Sequence, residues 1–150
     1  MTSRLNPYGL GTEPVAPLIA FATQIQGRLD HTLGELVKIR ASQINGCGIC
    51  LHMHTQAARA RGETEARIFM LDAWRETDLY TPRERAALAW TEALTRLPPG
   101  GVPDDVYQAV ADNFSQEEHI DLTLLIGAIN SFNRIGVGYR LGPANLRKAA

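Results

Sequence analysis

Apolar positions along this chain recur every three or four residues, and nowhere do they alternate strictly with polar ones. The pattern predicts helices and gives no strand signal. Up to about Leu29 it is interrupted by Pro7, Gly9, Gly11, Pro14 and Pro17. That stretch reads as an extended or irregular arm with one short helix from Pro17 to Arg28. A first clear helix follows from about Leu33 to Ile44, with Leu33, Leu36, Val37 and Ile44 on one face, and Asn45-Gly46 ends it. A second helix is expected from Cys47 to Arg61, stopped by Gly62 as a C′ residue. A third covers roughly Glu65 to Arg75.

Two helix starts carry reciprocal caps. Thr81 and Glu84 form a capping box with Pro82 at the first helical position, predicting a helix to about Leu97. Ser115 and Glu118 form another, opening a long helix to about Arg140 that is almost wholly apolar from Leu122 to Ile129. A helix that apolar is buried on most sides. Between them, Pro98 to Pro103 is a turn, and a short helix runs from Asp104 or Asp105 to about Phe114. The fold class expected is all-α, with six or seven helices. Residues 1–15 are expected to form an N-terminal arm and residues 16–150 a single helical domain.

Composition narrows the function classes. The chain has 150 residues, 45% hydrophobic and 21% charged, a length and balance that suit one soluble domain with a real core. A net charge of -1 offers no footprint for nucleic acid or an anionic membrane. No apolar run approaches the roughly 18 residues of a membrane span. The N-terminal stretch lacks a signal-peptide layout, so the expected location is cytoplasmic.

The candidate chemistry lies in "INGCGICLHMHTQ", Ile44 to Gln56, which holds both cysteines and two of the four histidines. With about 100° per helical residue, Cys50 lies about 60° and His54 about 20° from Cys47, whereas His52 lies about 140° away. Cys47, Cys50 and His54 therefore share a face. Cys50 and His54, four apart, are neighbours. An imidazole beside a thiol, at a helix N-terminus, favours thiolate near neutral pH. The chemistry offered is a dithiol that cycles to a disulfide, with a base attached. Two other readings compete. Zinc would need four converging ligands, but His52 diverges and no second Cys/His cluster exists. Plain packing of two cysteines and a histidine leaves their joint spacing unexplained. A thioredoxin-like domain would need a strand before the motif, where helix is predicted.

"GELVKIRASQINGCGICLHMHTQAARARGE" resembles the core motif of the AhpD-like family, within the carboxymuconolactone decarboxylase superfamily. That motif spaces a glutamate, two cysteines and a histidine as Glu35, Cys47, Cys50 and His54 are spaced here. "TPRERAALAWTEALTRL" and "VPDDVYQAVADNFSQEEHIDLTLLIGAINSFNRIGVGYR" are similar to the later helices of its short members. The resemblance implies an all-helical trimer or hexamer that reduces alkyl hydroperoxides. Cys50 would be the attacking thiolate, Cys47 the partner that closes the disulfide, and His54 with Glu35 a proton relay. It implies a dithiol or lipoyl-bearing protein as reductant, and no haem, flavin or metal. The founding type carries a histidine directly before its second cysteine, where this chain has Ile49. The same superfamily also holds lactone decarboxylases, a second reading, and a redox-sensing helical oligomer without turnover is a third.

Other residues read more plainly. Thr32-x-x-Glu35 also fits a capping box, so Glu35 has a structural alternative to the relay. His31, His52 and His119 read as surface positions. Trp74, Trp90 and Phe132 read as core or interface. Asn130 and Asn133, on the apolar last helix, need partners and are candidates to orient the redox helix or a subunit contact. Arg134 and Arg140 are candidates for pairing with carboxylates or a partner subunit.

Overall fold

The computed structural model describes residues 4–8 and 13–143. The rest of the expected arm and the last seven residues lie outside the described residues. The elements are α1 (Ala16–Gln26), α2 (His31–Asn45), α3 (Gly48–Ala60), α4 (Glu65–Phe69) continuing into a 3₁₀ segment (Met70–Glu76), α5 (Pro82–Arg96), α6 (Asp104–Asn113) and α7 (Gln116–Gly138). No strand occurs among the described residues, and none of these helices is long and apolar enough to cross a membrane.

Both expected capping boxes form. The Thr81 hydroxyl accepts from the Glu84 N–H, and the Glu84 carboxylate accepts from the Thr81 N–H; Ser115 and Glu118 repeat the pair at α7. Gly62 lies at φ 93° after α3, with its N–H on the Arg59 carbonyl and the Glu63 N–H on the Ala58 carbonyl. That is a Schellman closure, and the positive φ is why glycine suits it. The expected helix from Glu65 to Arg75 instead breaks. It changes to 3₁₀ at Met70, with Ala73 outside the helical region at φ -106°, ψ 28°. Residues three apart eclipse in a 3₁₀ turn, so Leu71 and Trp74 both face inward, following Ile68, while Phe69 is left in solvent. The last helix ends at Gly138, short of Arg140, which takes a positive φ of 52°.

α2 is the axis of the molecule, packing on α3, α5 and α7. It contributes to three apolar clusters. Leu33 and Val37 join α1, α5, α6 and α7; Leu36 and Ile39 join α3, α4, the 3₁₀ segment and α5; Ala41 joins Cys47, Ile49, Cys50, Ile129 and Leu141. Trp74 and Trp90 are core, as expected.

Two buried polar groups tie the helices. Glu92 accepts from Arg40 and from the Trp74 indole on one oxygen, and from Arg75 and Arg96 on the other. Burial pushes this carboxyl up, but the hydrogen bonds from Trp74, Arg75 and Arg40 prevail and hold it at about 2. The second group answers the question of Asn130 and Asn133. The Asn45 amide donates to both of their side-chain oxygens, at 2.9 Å each, while Asn133 donates to Ser42 and Asn130 to Thr95. Their shared target is the end of α2, just before the turn that carries Cys47 and Cys50. Arg134 donates to the Asn130 carbonyl within its own helix.

Candidate functional site

The turn between α2 and α3 sets up the site. Gly46 takes a left-handed φ of 66° and closes α2 onto Ser42 and Gln43. The Cys47 N–H also returns to the Ser42 carbonyl, at 3.0 Å. Cys47 is therefore the N-cap of α3 in extended conformation, and the helix starts at Gly48, one residue later than the sequence reading placed it. Cys50 stands in the first turn. No side chain caps α3 and no acidic residue lies in its first turn, so its positive end is left to act on the two sulfurs. Cys47 and Cys50 are joined as a disulfide, with Cα atoms 5.3 Å apart. Both are buried. Gly136 of α7 lies against them; a Cβ there would fall 2.7 Å from Cys47 Sγ and 3.6 Å from Cys50 Sγ.

A cavity of about 500 Å³ opens on this disulfide from one side. Cys50 and His54 line it, and Cys47 does not. Its walls are mostly apolar, with Ile19, Ile49, Met53, Leu125, Ile129 and Phe132 among them, and among the described residues its one charged lining residue is Lys38. Asn6 and Tyr8 reach it from the N-terminal arm, which is held back on the domain by Arg4 donating to the Gly138 carbonyl at 2.8 Å.

Glu35 lies beneath His54, 2% exposed, its Oε2 2.9 Å from His54 Nδ1 and its Oε1 2.5 Å from Lys38 Nζ. Burial pushes the carboxyl up, but the hydrogen bonds from His54 and Lys38 outweigh it and hold Glu35 below the usual carboxylate range. An ionised carboxylate only accepts, so the His54 proton sits on Nδ1, and a neutral His54 offers Nε2 as an acceptor. The capping alternative for Glu35 is overturned. Asp30 accepts from the Leu33 N–H and caps α2, leaving the Glu35 carboxylate free for these contacts.

The structure thus gathers Cys47, Cys50 and His54, which helical phase put on one face, with Glu35, which the resemblance added to them. Two of the plain readings need correction. His31 is not a simple surface residue, since its Nε2 lies 3.8 Å from Glu35 Oε1 and its buried Nδ1 has no hydrogen-bond partner among the described residues. Burial first, then the Arg61 charge, lowers its proton affinity. His119 packs edge-on against Trp90, with ring centroids 4.8 Å apart, and beside Tyr107. His52 is half-buried and lies off the cavity lining. Lys38 and Gly136 went unnoticed in the sequence. The signal for Lys38 was its place one turn after Glu35; Gly136 gave none, because its neighbours are distant in the chain. Among the described residues no group of three or more His, Cys, Asp and Glu is placed to hold a metal ion.

Comparison with known proteins agrees with this architecture. A sequence model of the carboxymuconolactone decarboxylase family matches residues 16–93. The uncharacterized protein YdfG of Bacillus subtilis is 42% identical over 138 residues, covering 91% of this chain and 94% of its own. The crystal structure of ATU0492 from Agrobacterium tumefaciens, a protein of unknown function suggested to be the antioxidant defence protein AhpD, superposes with a TM-score of 0.90. It is 39% identical, over 95% of this chain and 99% of that one. An uncharacterized peroxidase-related protein from Silicibacter sp. TM1040 has a TM-score of 0.78 at 21% identity, over 89% of this chain and 72% of its own, a likeness of fold alone. The chain belongs to the carboxymuconolactone decarboxylase family and has its AhpD-like, all-helical fold.

Proposed function

We propose that the protein is a thiol peroxidase that reduces organic hydroperoxides with the Cys47–Cys50 pair. One observation carries the reading. Of two bonded sulfurs, Cys50 is the one that lines the apolar cavity, beside a histidine whose other nitrogen is held by a buried carboxylate. Cys47 lies behind it, 1% exposed.

In the reduced protein His54 Nε2 takes the Cys50 thiol proton, and Glu35 stabilises the imidazolium so formed. The thiolate attacks the terminal oxygen of ROOH, forming an S–O bond as the O–O bond breaks. The alkoxide leaves and takes the proton from His54 as ROH. Cys47 then attacks the Cys50 sulfenic acid, the S–S bond forms, and the hydroxyl leaves as water with the Cys47 proton. The sum is ROOH and a dithiol giving ROH, water and a disulfide. A positioned general base contributes about 10²–10⁴-fold to such a step. An external dithiol, of lipoyl type by the resemblance, returns the disulfide to thiols. A homo-trimer or homo-hexamer is the assembly the resemblance implies, and the cytoplasm is the location expected from the N-terminal sequence.

The test separates the two sulfurs. Cys47→Ser treated with hydroperoxide should accumulate a sulfenic acid at Cys50, trapped by dimedone and located by mass spectrometry. Cys50→Ser should consume no peroxide. The reverse pattern would exchange the roles, and inertness of every form towards hydroperoxide would remove the function.

A further inference from the structure

Among the described residues Lys38 is the one charged residue in the cavity lining, and its side chain is only 12% exposed. Holding an ammonium against apolar walls is unfavourable unless it is paired, and Glu35 supplies the pairing. The pairing uses one of three N–H donors. Among the described residues Glu35 is the ammonium's one acceptor. The carboxylate also fixes where the ammonium stands. Oε2 holds His54 and Oε1 holds Lys38, so a single group sets the base and the cation side by side. His54 is in turn one helical turn from Cys50. The immediate neighbour of Cys50 on the cavity wall, Ile49, has no side-chain donor to offer.

We infer that Lys38 is an electrostatic catalyst of O–O cleavage, donating a hydrogen bond from one of its two remaining N–H groups to the alkoxide oxygen that leaves when Cys50 attacks a hydroperoxide. The inference rests on the peroxidase reading and adds a residue to it. The charge develops on that oxygen in the transition state, inside a mostly apolar cavity whose further lining donors on Asn6, Tyr8, Thr23 and Gln26 are neutral, where a fixed cation has its largest effect. Lys38 gains and loses no proton in the cycle; the proton that completes ROH comes from His54. The departing group must be the oxygen bearing R. An alkoxide, a poor leaving group, needs this assistance, and a carboxylate leaving from a peracid does not.

The difference between leaving groups is the test. Pre-reduced wild type, Lys38→Met, Lys38→Gln and Lys38→Arg are mixed with tert-butyl hydroperoxide or with peracetic acid, and oxidation of Cys50 is followed in a single turnover. The loss of one such donor costs about 10²–10³-fold. Lys38→Met should therefore be about a hundredfold slower with the alkyl hydroperoxide and nearly unchanged with the peracid, and Lys38→Arg should keep most of the rate. Lys38→Gln, which can still donate to Glu35, guards against a folding defect and should show the same selective loss. Equal slowing with both oxidants would mean that Lys38 only positions Glu35, and unchanged rates would mean that it does neither; both results overturn the inference while leaving the peroxidase standing. A wild-type protein that reacts with neither oxidant removes the reading on which the inference rests.

Discussion

Replacing Gly136 by alanine tests the packing behind the disulfide. The added Cβ would lie 2.7 Å from Cys47 Sγ and 3.0 Å from Ile49 Cγ2. Neither neighbour can step aside into solvent. Cys47 is fixed by its disulfide and by its N–H on Ser42, and Ile49 is 6% exposed. Two effects oppose each other. Alanine in place of glycine inside a helix gains up to about 1 kcal/mol. Forcing a methyl group into a filled core costs about 1–3 kcal/mol. With no compliant neighbour the upper part of that range applies, and the net loss should be about 1–2 kcal/mol. At about 2–4 °C per kcal/mol for a chain of this size, the midpoint should fall by about 2–8 °C. Gly48, on the other side of Cys47, is the control, because a Cβ there meets nothing within 4 Å. Gly48→Ala should be neutral or gain up to about 1 kcal/mol. The assay is thermal and urea unfolding of the oxidised proteins at one concentration. A Gly136→Ala protein as stable as the wild type would show that α7 and the disulfide turn yield easily, and the argument from close packing would be wrong.

Further outcomes follow from the buried carboxylates. Glu92 is held at about 2 in the fold against an ordinary 4.5, so its ionisation stabilises the protein fully above about pH 4.5, and the gain is lost as pH falls towards 2. The stability difference between wild type and Glu92→Gln, on the order of 3 kcal/mol from the shift alone, should shrink over that window in urea titrations at stepped pH; a constant difference would contradict the assignment. Glu35→Gln should raise the pH midpoint of Cys50 alkylation and slow peroxide reduction in a protein that still folds, with some stability lost because Lys38 is left without its carboxylate. Asp30→Ala, which removes the cap, should lose about 1 kcal/mol of stability and leave the alkylation profile in place; an exchange of these two phenotypes would return Glu35 to a capping role.

Much of this was legible in the sequence because it is local. The boxes at Thr81 and Ser115, the stop at Gly62 and the phase that puts Cys50 under His54 all act within one or two helical turns. The misreadings arose where two local signals competed or where a distant partner decided. Thr32-x-x-Glu35 looks like a capping box, but α2 starts earlier, at His31, where Asp30 caps it and Glu35 turns to His54 and Lys38. The continuous helix to Arg75 gave way because Ile68, Leu71 and Trp74, three apart, are drawn to one core and Trp74 to Glu92. His31 looked exposed because a histidine near a helix start usually is; it lies one turn before Glu35 on α2, on the face whose burial the chain pattern around it does not mark. The cavity and the contact of Gly136 with sulfur depend on α1, α3 and α7 meeting, which no local pattern encodes.

The central claim is that two thiols and one hydroperoxide react to completion. The reduced protein would be given one equivalent of an organic hydroperoxide, with free thiols, intact mass and the alcohol product followed together. The account requires both thiols to disappear with a loss of about two mass units, one alcohol to form per chain, and a dithiol to reverse the change. Thiols that persist in the folded protein while the hydroperoxide remains intact would contradict it.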